Sequence, residues 1–366
     1  LILPCKNCND KYNLLPVILE QNTDKGTIYG KIRGCMNVNF ENQKLAPPRL
    51  IPTLLAGFNT VANHIGLILF PLGLDLLIWF GPQLKLEKLL TPIYQQAFQA
   101  LIAYNNPEMQ QLIETSQSEM ALILNRVNLT SMLSTFPIGI PSLLSSQGIS
   151  ETPLGAPTIF EMPSIGFIIL MTFFFILIGL MLGSLYLSAI AYSTNKKTEK
   201  INLQTLANKL IKGIGLSILL VIILLVLLVP VLFIISLFSI FSPVLSQIIL
   251  LVSTFILIWL LIPLIFSPHG IFAKDMGIMQ SILHSIKVVR SYLPGTGMFL
   301  LATILIAQGL DLLWIAAPSN SWLTLIGITG HAFIYTALIA ASFIYYQKSC
   351  EWTQELLEKI KNIKRI

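Results

Sequence analysis

The sequence predicts an all-α fold: a polytopic helical membrane protein with about six transmembrane helices plus amphipathic surface helices. Three observations predict it. Of 366 residues, 54% are hydrophobic and 11% charged, whereas a soluble domain carries roughly a quarter charged residues. Apolar runs of about 20 residues, enough to cross a hydrocarbon core of ~30 Å, recur along the chain. The basic residues are also sorted. All but Lys85, Lys88 and Arg126 of the 23 lysines and arginines fall in segments that those runs place on one side.

Taken in order, residues 1–49 are a polar extension in which short β-like runs (Leu14–Leu19, Thr27–Ile32) alternate with Asn, Asp and Gly turn residues. Residues 50–82 hold a surface helix over Leu50–Val61 and the first span over Ala62–Phe80, stopped by Gly81-Pro82. No cleavable leader is expected, because the first run long enough to insert starts only near Ala62. Residues 83–162 contain no span. Met109, Leu112, Ile113, Met120, Ile123, Leu124 and Val127 recur near the helical period, so amphipathic helices are expected there. Pro and Gly make the second half of this region an extended loop.

Residues 163–346 read as five further spans: Pro163–Tyr192, Gly213–Phe241 (with a kink at Pro230), Val244–Phe266, Gly297–Ala317 and Trp322–Tyr346. Between the fourth and fifth spans of the chain lies an amphipathic arm, 267–296, with Phe272, Met276, Met279, Leu283 and Ile286 as its apolar side. Residues 347–366 form a basic amphipathic tail with Trp352, Leu356, Leu357, Ile360 and Ile363 on one side.

Six spans put both termini on one face, and the charges choose the face. Cytoplasmic loops carry an excess of Lys and Arg, which places both termini, the 193–212 loop and the arm in the cytoplasm and 83–162 outside. The net charge of +6 follows from this sorting and does not imply a nucleic-acid partner. Cys5, Cys8, Cys35 and Cys350 all fall on the reducing side, so no structural disulfide is expected. Asn128-Leu129-Thr130 matches a glycosylation sequon in the outer region.

Few residues carry chemistry. Gly73-Leu74-Asp75-Leu76-Leu77 in span one is repeated as Gly309-Leu310-Asp311-Leu312-Leu313 in span five, each followed by a tryptophan, Trp79 and Trp314. A carboxylate within hydrocarbon is costly and usually faces a partner, a cavity or the interface. Asp75 and Asp311 are therefore either a paired acidic site for protons or cations, or two carboxylates near the outer interface that snorkel or cap a neighbouring helix. His331 lies in Gly327-Ile328-Thr329-Gly330-His331. Small residues one turn before a histidine leave room for a haem or chlorophyll-type pigment, and equally for a close helix contact across which the imidazole hydrogen-bonds. His64 falls near the interface. Cys5-Lys6-Asn7-Cys8 with Cys35 offers three thiols where structural zinc wants four ligands; an upstream residue, a carboxylate or Cys350 could supply the fourth. Lys287 and Arg290 on the arm suit lipid phosphates, or simply mark a topogenic surface helix. A Gly-rich phosphate loop, a nucleophile elbow and a HExxH motif are all missing, so no catalytic residue is assigned.

The segment Met279-Gln280-Ser281-Ile282-Leu283-His284-Ser285, followed by Val288-Val289-Arg290 after a Pro-containing turn, resembles a pattern in bacterial integral-membrane families. These include the membrane domain attached to some glycerophosphodiester phosphodiesterases. The resemblance covers the arm and the span layout and includes no active site, so no hydrolase activity carries over; it implies a six-helix membrane protein without known chemistry, expected in the inner membrane of a prokaryote. The expected function is non-enzymatic: a scaffold or accessory subunit that binds the lipid bilayer and other membrane-protein subunits. The alternatives are a small-molecule or lipid transporter using Asp75 and Asp311, and a tetrapyrrole-binding subunit using His331.

Overall fold

The computed structural model describes residues 46–102, 107–195, 202–239 and 241–363. Cys5, Cys8, Cys35 and both β-like runs lie outside them. Among the described residues five helices are long and apolar enough to cross a membrane, or six when one sharply bent pair counts as a single span. The chain is an all-α, multi-pass membrane protein. Its long helices are α5 (Ile165–Thr194), α6 (Leu203–Ser239), α7 (Pro243–Leu261), α10 (Leu293–Trp314) and α11 (Leu323–Ile363). The bent pair is α1 (Leu50–Asn63) and α2 (Leu69–Phe80), joined by a 3-10 turn at Ile65–Ile68 and bent by 92°.

The break at His64 explains why the sequence reads as a surface helix running into a short span. The first half is packed, however. Thr53, Gly57 and Val61 are buried, and α1 runs antiparallel along α11, from Leu50 and Leu54 beside the cluster holding Tyr345, Tyr346 and Cys350 to Phe58 against Phe333. The contact is close because Gly57 has no side chain: a Cβ there would lie 2.5 Å from the Ala337 carbonyl and 2.6 Å from the Ala341 backbone nitrogen. Backbone cannot move aside as a flexible side chain can. Gly57→Val is therefore expected to cost at least the 1–3 kcal/mol typical of overpacking, seen as a lower unfolding midpoint in detergent, whereas Gly66→Ala, with open space around it, leaves the midpoint unchanged.

Helices α6 and α7 form a tight hairpin, with the Ser242 side chain accepting from the Leu245 N–H at the start of α7. Helix α6 runs on unbroken through Pro230. Helix α11 also continues without interruption from the last span into the basic tail, so span and tail are one element.

The arm folds as α8 (Ser267–Lys274) and α9 (Ile278–Ser291), turned at Asp275, whose φ of 51° is left-handed. Serines dock α9: Ser281 Oγ donates to the Ser267 carbonyl at 2.5 Å and Ser285 Oγ to the Pro263 carbonyl at 2.7 Å. On α9 the apolar side read from the sequence, at Met279 and Leu283, is the outward one. Ser281, Ile282, Ser285, Val288 and Val289 are buried, while Met279 and Leu283 are each 60% exposed. Apolar residues occur on both faces, and the small serines fit the tighter one.

The region between α2 and α5 contains α3 (Glu87–Ile102), α4 (Pro107–Arg126), a 3-10 turn at Leu129–Leu133 and a short parallel pair, β1 (Gln83–Lys85) with β2 (Ile159–Glu161). Asn128 ties it together, its side-chain oxygen accepting from Leu84 and Thr130 N–H groups at 3.0 and 3.2 Å. Asn128 is buried, so the sequon is spent on structure. The following loop enters the bundle: Ile138, Ile140, Leu143 and Leu144 belong to the main core. Gly183 of α5 admits it, since a Cβ there would come within 2.6 Å of Gly139 Cα.

Candidate functional site

Helices α10 and α11 are antiparallel neighbours joined by a short turn, at the end of the bundle where the Trp79 indole N–H donates to the Ser319 carbonyl at 2.8 Å. Side chains on a helix lean toward its N-terminus. On α10 that direction leads away from the turn; on α11 it leads toward it. Asp311 and His331 thus lean toward each other, and His331 Nδ1 meets Asp311 Oδ1 at 2.8 Å. Tyr335, one helical turn beyond His331 and on the same face, donates its hydroxyl to Asp311 Oδ2 at 2.6 Å. Gln308, one turn before Asp311, reaches the Tyr335 oxygen at 3.4 Å.

The cluster is graded from interior to edge. The His331 side chain is 3% exposed and that of Asp311 18%; Tyr335 is half-buried and Gln308 exposed. With Asp311 ionised, both its oxygens accept, one from imidazole Nδ1–H and one from the phenol. That tautomer leaves Nε2 with a free lone pair. Nε2 is buried and, among the described residues, has no hydrogen-bond partner. A neutral imidazole held this way can accept a proton at Nε2 and become an imidazolium beside a carboxylate that stabilises it. An orphaned nitrogen is costly to bury, so its retention is a functional clue.

Asp75 is not part of a direct pair with Asp311. It is fully buried, and its carboxylate is filled by the entering loop. Ser142 Oγ donates to Oδ1 at 2.5 Å, and the Leu144 and Leu143 N–H groups donate to Oδ1 and Oδ2 at 3.1 Å each.

The glycine notch before His331 is filled by protein. Cβ atoms at Gly330 and Gly327 would meet the Trp314 ring at 2.7 Å and its carbonyl at 2.5 Å. The room that these glycines leave beside His331 is taken by this tryptophan. His64 is exposed at the α1–α2 break, with Nδ1 3.0 Å from the Thr60 carbonyl. Among the described residues no three His, Cys, Asp or Glu side chains gather as metal ligands. Cys350 is a buried free thiol, with His284 Nδ1 at 4.0 Å and closer, at 3.0 Å, to the Tyr346 hydroxyl.

The arm holds a titratable group with a readable pH effect. Burial, and then the Lys274 and Lys287 charges, hold the His284 pKa below its usual 6.5. The folded protein thus binds this proton less readily than the unfolded chain, so stability present above pH 6.5 is lost as pH falls below that value. His284→Gln is expected to flatten the acid side of a midpoint-against-pH curve.

Sequence reasoning picked out Asp75, Asp311 and His331 but missed Tyr335, Gln308 and Ser142. The helical spacing of His331 and Tyr335 was an available signal for the second partner of Asp311. Ser142 lies 67 residues from Asp75, and nothing local marks it. No protein-family profile, curated protein or solved structure matches this chain.

Proposed function

We propose that this protein is a proton-handling transporter, in which the Asp311–His331–Tyr335 cluster takes up and releases a proton inside the membrane. The observation that carries the reading is the His331 imidazole: anchored through Nδ1 by Asp311, unpartnered at buried Nε2, and placed within two spanning helices. Ionisable side chains in spans most often mark proton or substrate paths. The half-buried Tyr335 and exposed Gln308 carry the cluster to the surface of the bundle, and protonation of His331 would change the charge presented there. The sorting of basic residues supports an arm facing the cytoplasm and a cluster nearer the outer face. The test is acidification of pyranine-loaded proteoliposomes under an imposed pH gradient. Wild type is expected to pass protons and Asp311→Asn to lose the flux while eluting as the same species; equal fluxes from the two would refute the proposal.

The scaffold or accessory-subunit reading has one observation of its own. Gln308 is exposed beside Asp311 and Tyr335 on the outside of the bundle, and a polar strip facing lipid is what a partner helix would cover. In that case Gln308→Leu releases a co-purifying subunit, and no protein-dependent flux is seen.

A further inference from the structure

We propose that the cleft beside the arm is a binding site for an anionic phospholipid of the leaflet on that side. The cleft lies where α7 ends. Trp259, Leu260, Pro263, Leu264, Ile286 and Leu293 make its apolar wall, and Arg290 is its one charged residue. Trp259 is 62% exposed, at the depth where a span gives way to the Ile262–Leu264 turn and amphipathic indoles favour the head-group level. Lys287 and Arg290, three residues apart on α9, share a face; both are exposed. Among the described residues neither is paired with a carboxylate. The nearest acid of the arm, Asp275, is held by Lys212 at 2.7 Å.

This arrangement matches an amphiphile with a negative head. The apolar wall takes an acyl chain, and the two cations take the phosphate and a second anionic or hydroxylated head-group element. The exposed Met279 and Leu283 lie on the same outward side of α9 and continue the apolar surface along the arm, as expected of a helix lying in the interface. A basic residue in the last turn of a helix is also favoured by the helix dipole. That accounts for the charge of Arg290, but not for the apolar cleft beside it or for two unpaired cations.

The experiment uses the full chain in detergent, with phosphatidylglycerol, phosphatidylcholine of the same acyl chains, or inorganic phosphate added separately. Phosphatidylglycerol is expected to bind about tenfold or more tightly than phosphatidylcholine, in keeping with two cations near a charged surface, and Lys287→Ala with Arg290→Ala removes the difference. The tail variant Lys359→Ala with Lys361→Ala keeps it. Equal binding of the two lipids, or a preference that survives in the arm variant, overturns the proposal. So does the same gain in thermal midpoint from inorganic phosphate alone, which would make the site one for free phosphate. Should the arm variant not fold, brominated phosphatidylglycerol decides. It is expected to quench wild-type fluorescence more than the brominated zwitterionic lipid does, with the excess lost in Trp259→Phe; an excess that persists there overturns the proposal.

Discussion

Asp75→Ala is expected to free the loop around Ser142 from the bundle and to lower stability more than Gly57→Val or any change in the Asp311 cluster. The change leaves the Ser142 hydroxyl and the Leu143 and Leu144 N–H groups without their acceptor. Each buried donor left unsatisfied costs about 1–3 kcal/mol, so the low end of the sum is about 3 kcal/mol, a large share of a marginal stability. Asp75→Asn should fall between the two. Its carbonyl can keep the two bonds made to Oδ1, but its amide then faces the Leu143 N–H, donor against donor. The expected order of unfolding midpoints is wild type, Asn, Ala, with proteolytic cleavage between residues 138 and 160 following the reverse order. An alanine variant as resistant to cleavage as wild type would show that the carboxylate does not hold this loop.

The largest functional effect is expected at His331. His331→Gln keeps a polar side chain of similar reach but cannot take up a proton, so proteoliposome flux should drop to that of empty vesicles. Tyr335→Phe removes one hydrogen bond to the Asp311 carboxylate. Hydrogen bonds to charged groups contribute about 1.5–3 kcal/mol, and about 1.4 kcal/mol is tenfold in an equilibrium constant, so a loss of roughly ten- to a hundredfold is expected. His331→Gln also leaves Asp311 with its Tyr335 partner, which protects the fold. A flux unchanged in His331→Gln but lost in Tyr335→Phe would point to the phenol as the proton carrier and contradict the assignment.

Much of the architecture is legible in the sequence because lipid is a simple selector. Runs of Leu, Ile and Val in α5, α6 and α7 can be satisfied only in hydrocarbon, and each appears as a long helix close to its expected place. The break at His64 is harder to read. Ala62-Asn63-His64 continues a helical pattern, and before the 92° bend α1 packs Gly57 on Ala337 and Ala341, a contact that only tertiary packing reveals. The packed face of α9 is hard to read for a related reason: Ser281 and Ser285 are buried there by hydrogen bonds to the Ser267 and Pro263 carbonyls, partners that nothing local marks. The same limit applies to the candidate site. An aspartate in a span announces a cost, and so Asp75 and Asp311 stand out, but the partner that offsets it is local for Asp311 only in space. Asp75 is satisfied by a loop that composition marks merely as irregular.

Proton exchange at His331 Nε2, with Asp311 holding Nδ1, is most directly tested by a pH titration of nitrogen-15-labelled histidine. Solid-state NMR in lipid bilayers reads it, with the four histidines separated by single substitutions. The signal lost in His331→Gln is expected to come from an imidazole protonated at Nδ1 and bare at Nε2 at alkaline pH, which gains a second proton on acidification. An imidazole already protonated at Nε2 and unchanged through the titration would contradict that assignment.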